Sequence, residues 1–173
     1  MNQIKVFCLI LGSLLVSGCT GKPSNVEPVS PFALDQYLGT WYEIARLDHS
    51  FERGLNKITA TYALNDDGSV NVLNRGWNEK EQQWSEAVGK AKFVDSSDQG
   101  YLKVSFFGPF YGSYIVFHLE PDYSTALISG PNLDYFWILS RTPTLEAEQL
   151  NRYKEIAQQA GFDTEQLIYP THD

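Results

Sequence analysis

Cysteine is almost missing from this chain: of 173 residues only Cys8 and Cys19 carry a thiol, and both lie near the N-terminus. Everything after Cys19 is therefore without an internal disulfide or a thiolate metal site, and a domain built from it must be held by its core alone. Histidine is scarce too; His49, His118 and His172 stand far apart, and one histidine without a second ligand is a weak metal signal. No Gly-x-Ser-x-Gly elbow occurs, and no histidine pairs recognisably with a serine and a carboxylate, so hydrolysis lacks its parts. Beyond residue 18 no apolar run approaches the ~20 residues of a membrane-spanning helix.

The first residues hold one cation, Lys5, followed by an apolar stretch from Val6 to Val16 that is too short to span a bilayer. This is the pattern of a secretory signal. Val16-Ser17-Gly18-Cys19 comes next, and small residues before a cysteine resemble the lipobox of bacterial lipoproteins. The expectation is a signal peptide over 1–18, acyl chains (palmitate among them) on Cys19 as lipid anchor, and a Pro/Gly/Ser-containing flexible tether to residue 34. Cleavage leaves 155 residues, the length of one domain, placed at 35–173. That portion holds 12 Lys and Arg against 21 Asp and Glu, a net charge of −9, which disfavours nucleic acid and anionic membrane as electrostatic partners.

What is abundant is aromatic and β-branched side chains. Short segments rich in Val, Ile, Tyr, Phe, Trp and Thr predict eight strands near 41–48, 57–64, 70–78, 84–94, 101–107, 113–119, 125–130 and 134–141. Asp66-Asp67-Gly68, Ser96 to Gly100 and Pro121-Asp122 mark turns between them. Leu150, Tyr153, Ile156, Ala157 and Ala160 then recur at helical spacing up to Gly161. Thr144 is the candidate N-cap; Ala147 stands where a capping box would need Glu or Gln. Leu167-Ile168-Tyr169 suggests a short last strand.

Eight short strands leave two open edges unless the sheet closes, so the fold class is all-β: an antiparallel up-and-down barrel with a C-terminal helix outside. The strand 134–141 is apolar on both alternating sets and needs cover on both sides, with Tyr135, Trp137 and Leu139 facing inward and Phe136 and Ile138 facing the helix. Alternation puts Ala45, Leu47, Tyr62, Gly89, Ala91, Phe93, Leu102, Val104, Phe106, Tyr114 and Val116 inward beside them, with Gly89 and Ala91 leaving room for a ligand. Glu43 shares parity with Trp41, and His118 shares parity with Tyr114 and Val116.

Gly39-Thr40-Trp41, Pro121-Asp122-Tyr123 and Arg141 all fall at one end of such a meander. Trp41 can plug the floor, with Arg141 lying across its indole and donating to carbonyls. This set resembles the lipocalin family: a Gly-x-Trp on the first strand, a Thr-Asp-Tyr-like turn between the sixth and seventh, and an arginine ending the eighth. The resemblance covers about residues 37–169 and is closer still to the bacterial outer-membrane lipocalins, in the runs Tyr37 to Arg46, Lys103 to Gly112 and Trp137 to Pro143. Pro121 departs from the threonine of many members.

The resemblance implies a carrier, not an enzyme, for fatty acids or lysophospholipids, anchored at the outer membrane and facing the periplasm, without cofactor or metal. Thr20 after Cys19 looks like the outer-membrane sorting pattern, and members of the subgroup form homodimers. Exposed aromatics of the loop Gly108 to Gly112 and of Asp48 to Lys57 would lie at the open end, where Arg53 could meet a phosphate. A structural envelope lipoprotein with a filled barrel, a lipid-modifying enzyme and a haem or metal carrier stand as alternatives.

Overall fold

A computed structural model describes residues 21–173. The expected signal peptide over 1–18 and the expected lipid-bearing Cys19 lie outside the described residues. A one-turn helix α1 (Leu34–Tyr37) precedes strands β1 (Gly39–Arg46), β2 (Leu55–Leu64), β3 (Val70–Asn78), β4 (Gln83–Phe93), β5 (Tyr101–Phe107), β6 (Phe110–Leu119), β7 (Thr125–Ser129) and β8 (Phe136–Ser140). Helix α2 (Ala147–Gln159) follows. Each strand pairs antiparallel with its chain neighbour, and β8 returns to β1 with Trp137 opposite Arg46, which closes the barrel and removes both edges.

The two apolar faces of β8 explain the layering. Leu139 points into the barrel with Ala60, Val70, Val72, Leu102 and Ile128, whereas Phe136 and Ile138 join Tyr153 and Ala157 of α2, and Ala160 just after it, in a second core outside the wall. A strand buried on both sides can be apolar throughout, and β8 is.

Helix α2 begins later than the sequence suggests. Glu146, not Thr144, is the cap, and its backbone N–H donates to the side chain of Gln149 (3.4 Å), so the reciprocal box sits two residues further on. The last strand shrinks to one bridge, Arg46 with Ile168.

The segment before α1 is not a free tether. Val26 (0% exposed) lies in the outer core and Phe32 (4%) in the inner one. Val29 N–H donates to Val116 O (2.8 Å), Gly100 N–H to Val29 O (2.9 Å) and Phe32 N–H to Asp98 O (2.8 Å). Prolines do remove donors from this stretch, yet isolated apolar residues between them suffice to seat it as a strap along the barrel. Phe32→Ala should cost about 3 kcal/mol in urea unfolding, as for other large-to-small core changes. A solvated tether would give no change.

A floored barrel with a narrow apolar channel

The closed end is assembled from four segments. Gly39, at φ +93°, takes a left-handed turn that few other residues adopt, and a Cβ there would stand 3.4 Å from Arg141. This turn lets α1 cross the floor and swing into β1. Trp41, fully buried, donates its indole N–H to Tyr37 O (2.8 Å). Arg141 stacks over that indole at 3.9 Å and donates to the carbonyls of Gln36 (2.8 Å), Leu38 (2.9 Å), Thr40 (3.0 Å) and Tyr123 (3.4 Å). Asp122 Oδ1 accepts from Ser124 N–H (3.0 Å) and hydroxyl (2.6 Å), which fixes the turn and holds its carboxyl below the usual range. Tyr123 turns its hydroxyl to accept from Ala33 N–H (2.9 Å), tying strap to floor.

Above the floor lies a channel of about 900 Å³ of atom-free space, its mouth included, in which a water-sized sphere moves through only about 110 Å³. It is narrow and mostly apolar. Tyr62, Ala91, Leu102, Val104, Phe106, Tyr114 and Trp137 line it, joined by Ile58, Ala60, Val70, Val72, Ile128 and Leu139, which the sequence reading did not single out as ligand residues.

Other positions named from alternation lie elsewhere, for definite reasons. The β1–β8 register slips between Glu43 and Ala45, so Ala45 and Leu47 turn outward into the core beneath α2 and Arg46 turns in. A second slip between Val116 and His118 turns His118 outward as well. Its Nε2 lies 3.0 Å from Glu120 Oε1 and its ring is 5.8 Å from Tyr153 of α2. No metal or haem reading can rest on it, and no cluster of three or more potential metal-ligating residues occurs among the described residues. Phe93 and Val116 belong to the inner core but not to the channel wall. Tyr135 stands just before β8 at the rim. Gly89 leaves no room for ligand: a Cβ there would meet the Phe106 ring at 2.8 Å, so the glycine makes space for that ring.

Polar groups gather at two levels of the channel. At the floor, Tyr114 Oη is hydrogen-bonded to Tyr37 Oη (2.7 Å) and Tyr62 Oη (2.8 Å), and burial drives all three phenols well up, Tyr62 among them. Nearer the mouth, Glu43, Arg46, His49 and Glu52 are all buried. Arg46 donates to Glu43 Oε1 (2.7 Å) and to Glu52 O (3.0 Å), and Trp137 donates its indole N–H to Glu52 Oε2 (3.0 Å). Burial, then the nearby Glu52, raises Glu43 well above the carboxylate range, and Arg46 only partly opposes this. Burial raises Glu52 too, with the Trp137 N–H and Arg46 pulling the other way.

His49 Nε2 is 3.1 Å from Glu52 Oε2 but out of line for a hydrogen bond, and neither ring nitrogen has a hydrogen-bond partner among the described residues. Its imidazole stacks on Phe51 (4.0 Å) and beside Trp137 (5.0 Å) and Tyr135 (6.0 Å), an aromatic collar on one side of the mouth. Burial, then Arg46, lowers His49 to about 4. Arg53, read from sequence as a possible phosphate contact, is clamped by Asp48 at 2.5 Å.

Residues 32–172 match the lipocalin-like domain family. The chain belongs to that family. It is 57% identical over 167 residues to outer membrane lipoprotein Blc of Vibrio cholerae, covering 96% of this chain and 98% of the relative. It is 46% identical over 171 residues to outer membrane lipoprotein Blc of Escherichia coli K12, covering 98% and 97%. Insecticyanin from the tobacco hornworm shares the fold, with a TM-score of 0.70 at 20% identity over 88% of this chain and 87% of that one. The chain is thus a lipocalin, a binding protein for lipophilic small molecules and not an enzyme.

Two tests follow from this geometry. Arg141→Met should lower stability by about 2–3 kcal/mol in denaturant titration, because several carbonyls lose a charged donor at once. For His49 the unfolded state binds a proton between pH 6.5 and about 4 that the folded state does not. Its contribution is therefore present above pH 6.5 and lost as pH falls through about 4. Replacing it, His49→Phe, should flatten the decline of urea-derived stability across that window; an unchanged slope would place the histidine in water.

Proposed function

We propose that this lipocalin is anchored by acyl chains on Cys19 in the outer membrane, facing the periplasm, and carries single-chain lipids there, fatty acids or lysophospholipids. The observation that supports this most is the shape and chemistry of the channel: one narrow, mostly apolar bore, closed at the floor, with polar clusters at its two ends and only Asn74 and Ser113 as polar lining between them. Each buried methylene gains roughly 0.8 kcal/mol from leaving water, so a long acyl chain reaches micromolar affinity after ordering costs. A bore this slender suits one chain better than the two chains of an intact phospholipid or a flat macrocycle.

The anchor reading draws on the lipobox-like Val16 to Cys19 and on the two relatives called outer membrane lipoproteins, whose alignments leave out too few residues of this chain to exclude Cys19. Homodimer formation belongs to the same reading and rests on the subgroup resemblance alone.

Binding should be measured by native mass spectrometry and Trp fluorescence during titration with oleate, lysophosphatidylcholine and haem. A one-to-one adduct with a single-chain lipid and saturable quenching are expected. Ala91→Phe and Val104→Trp should each weaken binding at least tenfold, a loss of about 1.4 kcal/mol or more, with unchanged circular dichroism. No adduct with any of the three ligands would favour the filled structural barrel instead.

A further inference from the structure

The strap fixes where the chain leaves the barrel. Ser113 Oγ donates to Gly21 O (2.7 Å), and Gly21 also lies beside Pro131 of the β7–β8 loop, 3.8 Å from its carbonyl to a Cβ built on the glycine. Both contacts belong to the open half. Ser113 is three residues from Phe110, which starts β6 at the mouth, and six from Leu119, which ends it at the floor. At strand rise these separations are about 10 Å and about 20 Å. Position 19 is two peptide units from Gly21, a reach of at most about 7 Å. The described chain thus begins in the mouth half of the barrel, two residues after Cys19.

The same end carries exposed apolar side chains. Phe107 is 82% and Phe110 73% exposed on the β5–β6 hairpin, which also bears Ser113; Phe51 is 59% exposed across the mouth, and Leu133 is exposed in the β7–β8 loop. Of the large exposed apolar side chains among the described residues, Leu64 alone lies at a closed-end strand terminus. Close to Phe51, the charges of Asp48 and Arg53 neutralise each other. Chain connectivity and apolar exposure thus point the same way.

We infer that the mouth of the barrel rests on the bilayer that holds the anchor, with Phe107 and Phe110 seated at the lipid interface, so that a single-chain lipid passes between membrane and channel without crossing bulk water. This rests on the reading of Cys19 as lipidated. The contact is made by apolar side chains and does not rely on basic charge, which suits a chain of net charge −8. A second copy of the chain is the competing occupant of the same patch.

The test uses the full lipidated protein, whose acylated Cys19 leaves no free thiol once residues 1–18 are removed. Phe110→Cys and, at the closed-end turn, Asp66→Cys are each labelled with an environment-sensitive nitrobenzoxadiazole dye. The proteins are then reconstituted into phosphatidylethanolamine–phosphatidylglycerol vesicles with or without brominated acyl chains. The label at 110 should shift to the blue and be quenched several-fold more than the label at 66. Equal quenching, or stronger quenching at 66, would overturn the inference. Quantitative disulfide dimers of unlabelled Phe110→Cys in the vesicles would also overturn it, by assigning the patch to a second copy.

Titrating the same labelled proteins with lysophosphatidylcholine below its micelle threshold separates this inference from the lipid-carrier reading. Binding without quenching at 110 defeats only the docked mouth, and quenching without binding defeats only the carrier. Phe107→Asp with Phe110→Asp should slow lipid transfer from vesicles at least tenfold while leaving equilibrium affinity for the soluble lipid unchanged. Unslowed transfer would remove the aromatic pair from the contact.

Discussion

Everything in this barrel leans on Arg141. Its guanidinium caps the Trp41 indole and collects carbonyls from residues 36–40, which run from α1 into β1, and from the turn before β7, so two segments far apart in sequence share one cation. Without disulfides in the described residues, closure of β8 onto β1 is the only thing that makes the sheet continuous, and Arg141 stands directly after β8 where that closure ends. A floor built this way is rigid, which allows the opposite end to be open and apolar. The cavity exists because one end needs no further side chains to close it.

The architecture was legible from sequence because it depends on repeated, local signals. Turn residues and β-rich runs located all eight strands, and the double apolar face of β8 foretold both the inner core and the seat of α2. The floor was legible because few residue types can perform its tasks: a left-handed glycine, a buried indole and a forked cation.

What was not legible has a common cause. Period-two reasoning carries no record of a bulge, and the slips after Glu43 and after Val116 each invert the side chains that follow. Ala45, Leu47 and His118 were misplaced for that reason, and Arg46 was missed as an inward cation. The strap failed differently. Its prolines and small residues read as a linker, while the two apolar anchors that seat it, Val26 and Phe32, show no periodicity. Likewise the Glu43–Glu52 pair joins a strand to a loop nine residues on, a juxtaposition no spacing rule announces.

The strap also makes the molecule a mechanical linkage. Tension arriving at Gly21 meets in turn the Ser113 bond, buried Val26, the paired bonds of Val29, and finally Phe32 and the Tyr123 hydroxyl before it reaches α1 and Trp41. These contacts lie in series along the barrel wall, so a pull peels them one after another. Such a pull is thereby absorbed along the wall, and the floor that shapes the channel feels it last.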